Sequence, residues 1–299
     1  MIEYVKDYLK MNDVEYKEDV SMSQISSVRI GGRAKIIALP DTEDKMAFVL
    51  RFLKENKIKH KLVGRMTNVL PCDFEYLGVI LKTDNLRSLR IGDGFISVSC
   101  GEYFPSLASR LAAKGIGGLE RLSGIPGSVG GLITNNAGAY GAEIGDMILS
   151  GRVFNIAERR FEIWEHRDFN FGYRSSALKS GRAVLLHALL RVEYEPSDLI
   201  RSKIKEYKSI RANKQPLDLP SLGSVFKSRS GYYASRLIDE CSLKGTTVGA
   251  AQVSPKHAGF IVNLGGATAR DYKKLVDIVA DTVREKKNIT LEREIEYLE

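Results

Sequence analysis

The stretch from Gly115 to Asp146, GIGGLERLSGIPGSVGGLITNNAGAYGAEIGD, carries ten glycines. Each glycine costs folding entropy, so neither a helix nor a long strand is expected to run through it. Small apolar residues (Ile125, Val129, Leu132, Ile133) stand between the glycines, which suits a buried loop better than a set of solvated surface turns. A loop of this kind lets main-chain N–H groups approach a ligand closely, most often a phosphate or pyrophosphate. It is not a P-loop, because no Gly-Lys-Ser/Thr ends it. The spacing of Gly124, Gly127, Gly130 and Gly131 is not G-x-G-x-x-G either.

The remaining chain narrows the class. At 299 residues it is long for one core, so two or three domains are expected. No apolar run reaches the length of a membrane span, and the charged, amphipathic N-terminus lacks a signal-peptide core. Three widely spaced cysteines (Cys72, Cys100, Cys241) point to a reducing, cytoplasmic setting without disulfides. Neither they nor His60, His166, His187 and His257 show metal-ligand spacing, so no metal is expected. The net charge is +8, but the basic residues are mixed with acids and not interleaved with aromatics, so nucleic acid is not an expected partner.

Periodicity places helices over residues 1–12, 42–55, 103–114, 196–214, 231–241 and from 267 onward. The last has a core stripe of Tyr272, Leu275, Val276, Ile278, Val279 and Val283. Strands are expected over 35–39, 60–63, 78–82, 89–91, 95–99, 152–155, 160–164, 185–194 and 291–299. Gly223 permits a tight turn that presents Ser224. Glu296 lies two residues beyond Glu294, so in a regular strand both share a face, where like charges would raise the pKa of Glu294.

Six blocks in order, from about Ser27 to Glu294, resemble the MurB family, the UDP-N-acetylenolpyruvoylglucosamine reductases of peptidoglycan synthesis. They are Ser27-Val-Arg-Ile-Gly-Gly-Arg-Ala34, Gly64-Arg-Met-Thr-Asn68, Ser123 to Gly131 continuing into Asn136 to Glu143, Tyr173-Arg174-Ser175-Ser176, Gly223-Ser-Val-Phe-Lys227 and Leu291-Glu-Arg-Glu-Ile295. Departures occur at Met66, where the family has glycine, Ser175, where it has aspartate, and Glu296, where it has arginine.

The resemblance implies an α+β fold: a two-part FAD-binding domain of the PCMH/vanillyl-alcohol-oxidase type and a C-terminal α/β substrate-binding domain. It implies the boundaries 1–28 for a helix and lead-in, 29–194 for the FAD domain (subdomains about 29–84 and 85–194) and 195–299 for the substrate domain. The length suits the shorter type, without an inserted substrate loop. The implied reaction is NADPH-driven, FAD-dependent reduction of the enolpyruvyl ether of UDP-N-acetylglucosamine by a cytoplasmic monomer. By position, Arg174, Ser224 and Glu294 would be catalytic, and Tyr173 and Lys227 substrate-binding. FAD would meet Ile30, Gly31, Gly64, Thr67, Asn68, Ser123, Gly124, Ile125, Pro126, Gly127, Ser128, Gly130, Gly131, Asn136, Gly138 and Ala139. Two other readings compete. One is another flavin oxidoreductase on this fold, which would lack the Gly-Ser-x-Phe-Lys block. The other is a flavin-poor, non-catalytic protein on the same scaffold, suggested by the three departures.

Overall fold

The helix Glu43–Glu55 shows how local sequence sets the elements. Thr42 Oγ1 accepts from Lys45 N at 3.1 Å, and Glu43 and Asp44 occupy the first turn, where the helix dipole favours negative charge. Its buried face is Met46, Ala47, Val49, Leu50, Phe52 and Leu53. The computed structural model describes residues 1–229 and 231–299. They form two units: residues 1–17, 36–65 and 78–210, and residues 18–35, 66–77 and 211–299.

The first unit centres on two sheets. One is four-stranded, in the order Glu15–Ser21, Arg33–Leu39, Tyr76–Lys82, His60–Val63. The last two strands run parallel, with His60 opposite Val79. The chain passes between units within the first three of these strands. The other sheet is antiparallel, in the order Arg160–Glu165, Ile148–Asn155, Ala183–Arg191, Phe95–Ser99, Leu89–Ile91. Their apolar faces share one core with the helices Ile2–Met11, Glu43–Glu55 and Phe104–Ala112. Gly115, with φ +72°, follows the last of these helices, as expected of a residue that ends one. The basic helix Ser197–Lys214 buries only Ile200 and Ile204, against Ala112.

The second unit holds an antiparallel sheet in the order Ser221–Ser224, Phe260–Asn263, Ala251–Val253, Thr247–Val248. The helices Ala234–Glu240 and Ala269–Lys287 pack in the same core. Thr268 and Asp271 form a reciprocal capping box at the start of the long helix. Tyr272, Leu275, Val276, Val279 and Val283 are its buried stripe; Ile278, expected there, is only half-buried.

Two expectations change. Residues 291–299 are not one strand: only Glu296–Leu298 is, parallel to Val69–Pro71, and Ile295 is a bend. The alternation that would put Glu294 and Glu296 on one face is therefore broken. Glu15–Ser21 is also a strand that its polar sequence conceals, because it lies at a sheet edge.

Candidate active site

The glycine-rich stretch lies along residues 100–104 of the first unit. Phe104 N donates to Gly127 O (3.0 Å), Val129 N to Glu102 O (2.9 Å) and Gly130 N to Cys100 O (2.8 Å). A short helix does form within it, Val129–Thr134, capped by Ser128, whose Oγ accepts from Gly131 N at 3.3 Å. Composition argues against that helix, but Gly130 has a packing reason. A Cβ on Gly130 would lie 2.9 Å from Cys100 Cβ and 3.2 Å from Cys100 O.

The polar side chains of the stretch serve the protein itself. Ser123 Oγ donates to Glu120 O (2.7 Å) and is fully buried. Asn136, at φ +41°, donates to Glu143 Oε2 (2.6 Å) and Gly172 O (3.0 Å) and accepts from Gly145 N (3.0 Å). What the stretch offers a ligand is therefore mainly backbone.

The test of whether a flavin nucleotide fits comes at Gly64. A Cβ there would sit 2.3 Å from Ser128 Oγ and 3.8 Å from Thr83 Oγ1, so the two loops meet through a glycine. Thr83 Oγ1 is buried with no hydrogen-bond partner among the described residues, while Arg65 Nε and Asp84 Oδ1, which also lack hydrogen bonds, face each other as an ion pair at 3.7 Å. Buried polar atoms without partners are rare in a finished fold. Arg65 also lies over the Tyr103 ring at 5.0 Å, and Lys82 Nζ is 3.0 Å from Asp84 Oδ2. Close backbone approach beside the orphaned Thr83 hydroxyl and the basic side chains of Arg65 and Lys82 fits a phosphate-bearing cofactor such as FAD.

Arg174 also belongs to the first unit. Gly172 and Ser175 exchange backbone hydrogen bonds (3.1 and 3.0 Å) and close a tight turn, with Arg174 at φ +53°. Its guanidinium donates to Gly138 O at 3.2 Å and lies 4.9 Å from the Tyr173 ring centroid. A carbonyl and a ring thus help to orient the arginine. Ser175, where aspartate was expected, contributes backbone to the turn.

In the second unit, the segment that carries Ser224 and Lys227 pairs with the segment that carries Glu294. Ser224 pairs with Phe260 across a bulge, and Gly223 has φ +78°; such a bulge re-aims the side chain that follows. Segment 292–294 runs antiparallel beside it: Lys227 N donates to Glu292 O (2.8 Å) and Glu294 N to Val225 O (2.8 Å). Lys227 Nζ lies 2.5 Å from Glu292 Oε1, and Arg229 Nη2 lies 2.6 Å from Glu292 Oε2. Hydrogen bonds from Lys227 and then Arg229 hold the Glu292 carboxyl below its ordinary range. Sequence reasoning missed Glu292; the alternating charges Glu292-Arg293-Glu294 were its only signal.

Other expected cofactor residues have packing roles. Ile30 is in the core of the second unit, and its carbonyl accepts from Ser26 Oγ at 2.9 Å. Gly31 has φ +133°, and a Cβ there would meet Pro71 Cβ at 2.7 Å. Met66 is buried at φ +51°, so this position does require the left-handed backbone that the usual glycine adopts freely. Thr67 is half-buried beside it. Asn68 Nδ2 donates to Glu294 O at 3.2 Å.

Comparison with known proteins finds two family matches along the chain. The FAD binding domain family matches residues 34–158. The UDP-N-acetylenolpyruvoylglucosamine reductase C-terminal domain matches residues 215–298. The chain is 37% identical over 292 residues to the UDP-N-acetylenolpyruvoylglucosamine reductase of Caldicellulosiruptor saccharolyticus, covering 97% of this chain and 94% of that one. The crystal structure of the reductase (MurB) from Thermus caldophilus superposes with a TM-score of 0.80 at 29% identity, covering 96% of this chain and 99% of the other. BBE-like 1 of Physcomitrella patens, 12% identical with a TM-score of 0.51, covers 64% of this chain and 44% of that one, and shares the fold alone. An FAD-binding domain followed by this C-terminal domain, with near-complete coverage by such relatives, makes the chain a member of the UDP-N-acetylenolpyruvoylglucosamine reductase family.

Proposed function

We propose that Arg174, Ser224 and Glu294 are the residues with which this FAD- and NADPH-dependent reductase converts the enolpyruvyl ether of UDP-N-acetylglucosamine to UDP-N-acetylmuramate. When bound, FAD supplies the hydride, regenerated from NADPH. The chain's own task is to make the substrate a hydride acceptor. An enol ether is electron-rich and resists attack unless negative charge can flow into its carboxylate. Arg174 supplies the fixed cation for that carboxylate, and its hold on Gly138 O limits the reorganisation needed when charge develops. Glu294 is the second hydrogen-bonding partner. Ser224 then gives a proton to the carbon next to the carboxylate. A serine hydroxyl is a weak acid, so it serves only against a strongly basic carbon, and the nearby Lys227 charge favours the alkoxide it leaves.

The observation that carries this reading is the pairing of segment 292–294 with 225–227, which sets the Glu294 main chain beside the residue that follows Ser224. Gly64 and the backbone of 123–131 are our candidates for the FAD pyrophosphate. Tyr173 and Lys227 are our candidates for the substrate. We keep the functional division into a flavin part, residues 29–194, and a substrate part, 195–299. Among the described residues no helix is long and apolar enough to cross a membrane. Three free, buried cysteines support a reducing, cytoplasmic setting. We read the enzyme as a monomer that does not engage nucleic acid.

Stopped-flow half-reactions test the role of Ser224. Ser224→Ala is expected to leave flavin reduction by NADPH intact and to slow reoxidation by the enolpyruvyl substrate by about 10²–10⁴-fold. Equal impairment of both steps would remove Ser224 from the acid role.

A further inference from the structure

Glu294 sits where a strand fails. The parallel ladder runs Glu296 opposite Val69, Tyr297 opposite Leu70 and Leu298 opposite Pro71, and it stops at the bend of Ile295. One residue before Val69, Asn68 takes over. Its carbonyl accepts from Glu296 N at 2.9 Å, and its side-chain amide reaches past the bend to Glu294 O at 3.2 Å. On its other side, Glu294 N donates to Val225 O at 2.8 Å. The main chain of Glu294 is thereby held by the residue after Ser224 through its N–H and by Asn68 through its carbonyl.

The support for Asn68 is itself braced. The Met66 carbonyl accepts from the N–H of Ser27 at 3.4 Å. The Ser27 hydroxyl also lies 2.7 Å from Ser221 O, at the start of the strand that carries Ser224. Segment 66–68 is thus tied to both strips that carry the proposed chemistry.

We propose that the side-chain amide of Asn68 is a positioning group for the Glu294 carboxyl; this rests on the role given to Glu294 above. Only a short side chain with an N–H donor makes this contact. Aspartate keeps the shape but has no donor, and it sets an acceptor against a carbonyl oxygen. Alanine leaves Glu294 O without the side chain that pins it. Either change lets the root of the carboxyl drift relative to Ser224, and a displacement on the order of 1 Å at a reacting group can lower a rate about 10²-fold.

The experiment uses the full-length holoprotein and separates the two half-reactions. Asn68→Ala is expected to bind FAD and be reduced by NADPH within about twofold of wild type, while reoxidation by the enolpyruvyl substrate slows by about tenfold or more. In a Glu294→Gln background, the same substitution is expected to cause little further loss, because both changes disable one group. If Asn68→Ala folds poorly, Asn68→Asp carries the same expectation. A weakened FAD dissociation constant with slowed reduction by NADPH would make Asn68 a cofactor contact and overturn the proposal. So would equal loss in both half-reactions, an unchanged substrate step, or full additivity with Glu294→Gln. Wild-type holoprotein that NADPH reduces but the enolpyruvyl ether does not reoxidise would sink the proposed function itself, before any variant is made.

Discussion

The glycine-rich stretch of the first unit and the Ser224–Lys227 strip of the second are built on opposite terms. In the first, the polar side chains are spent on the protein: Ser123, Ser128 and Asn136 cap turns and bind main-chain groups. What remains for a ligand is backbone, kept bare where a carbon added to Gly130 would collide with Cys100 and one added to the facing Gly64 would collide with Ser128. In the second, the backbone is spent on pairing with 292–294, and side chains are presented on it. A site made of backbone is damaged by adding atoms, and a site made of side chains by removing them. Ser224→Ala, expected to disable the substrate step, should shift stability by no more than about 0.5 kcal/mol.

The largest effect on stability is expected on the first side of that comparison. Gly130→Val places two methyl groups beyond a Cβ that is already 2.9 Å from Cys100 Cβ. Overpacking of this kind costs about 2–3 kcal/mol. Thermal melts should show the loss, and flavin absorbance after desalting should fall with it. A Gly130→Val protein that melts normally and keeps its flavin would mean that the turn at Cys100 yields, and that the bare backbone is not what shapes the loop.

How much of this was legible depended on range. The caps at Thr42 and Thr268 and the left-handed turn at Gly115 are decided by neighbours within a few residues, and sequence reads them well. The helix Val129–Thr134 was hidden because its glycines look like loop. They are tolerated because Glu102 and Cys100, far back in the chain, supply hydrogen bonds and close packing. The second site was the harder one. Ser224 and Glu294 could be named from their blocks, but the bend at Ile295, the Lys227–Glu292 ion pair and the Asn68–Glu294 bond join residues tens to hundreds of positions apart. No local pattern encodes such pairings. Asn68 lies in a block that the resemblance gives to the cofactor, and its side-chain amide also bonds the C-terminal segment.

An effect of similar size is expected at Met66, where both terms of the comparison act on one residue. Its φ of +51° is a glycine-like backbone, yet its side chain is buried. Truncation to Ala or Gly loses the packing of a buried methionine, about 2–3 kcal/mol. Alanine keeps the strain of the left-handed region and glycine relieves it, by about 1 kcal/mol. Met66→Gly should therefore be no worse than Met66→Ala, the reverse of the usual order in a helix or strand. Urea midpoints of the two variants decide it. Alanine clearly above glycine would mean that the backbone relaxes out of the left-handed region once the side chain is gone.

The smallest effect is expected at Glu292, and it tests the second side alone. Lys227, then Arg229, holds its carboxyl below the usual range. An acid whose folded pKa is depressed contributes stability that is fully present above its unfolded value, about 4.3. That contribution is lost as pH falls through the folded value. The side chain is 43% exposed, so solvent screening keeps the contribution under about 1 kcal/mol. Glu292→Gln should therefore be slightly less stable than wild type at pH 7, and the two unfolding curves should converge as pH falls below about 4. Parallel curves across that range would show that the ion pair adds nothing to folding. Kinetics then separate a structural role from a functional one. Glu292 fixes the Lys227 ammonium at 2.5 Å, so its loss should raise the KM for the UDP-sugar more than it lowers kcat if Lys227 binds substrate. A fall in kcat with KM unchanged would instead give the Lys227 charge its main role beside the Ser224 hydroxyl.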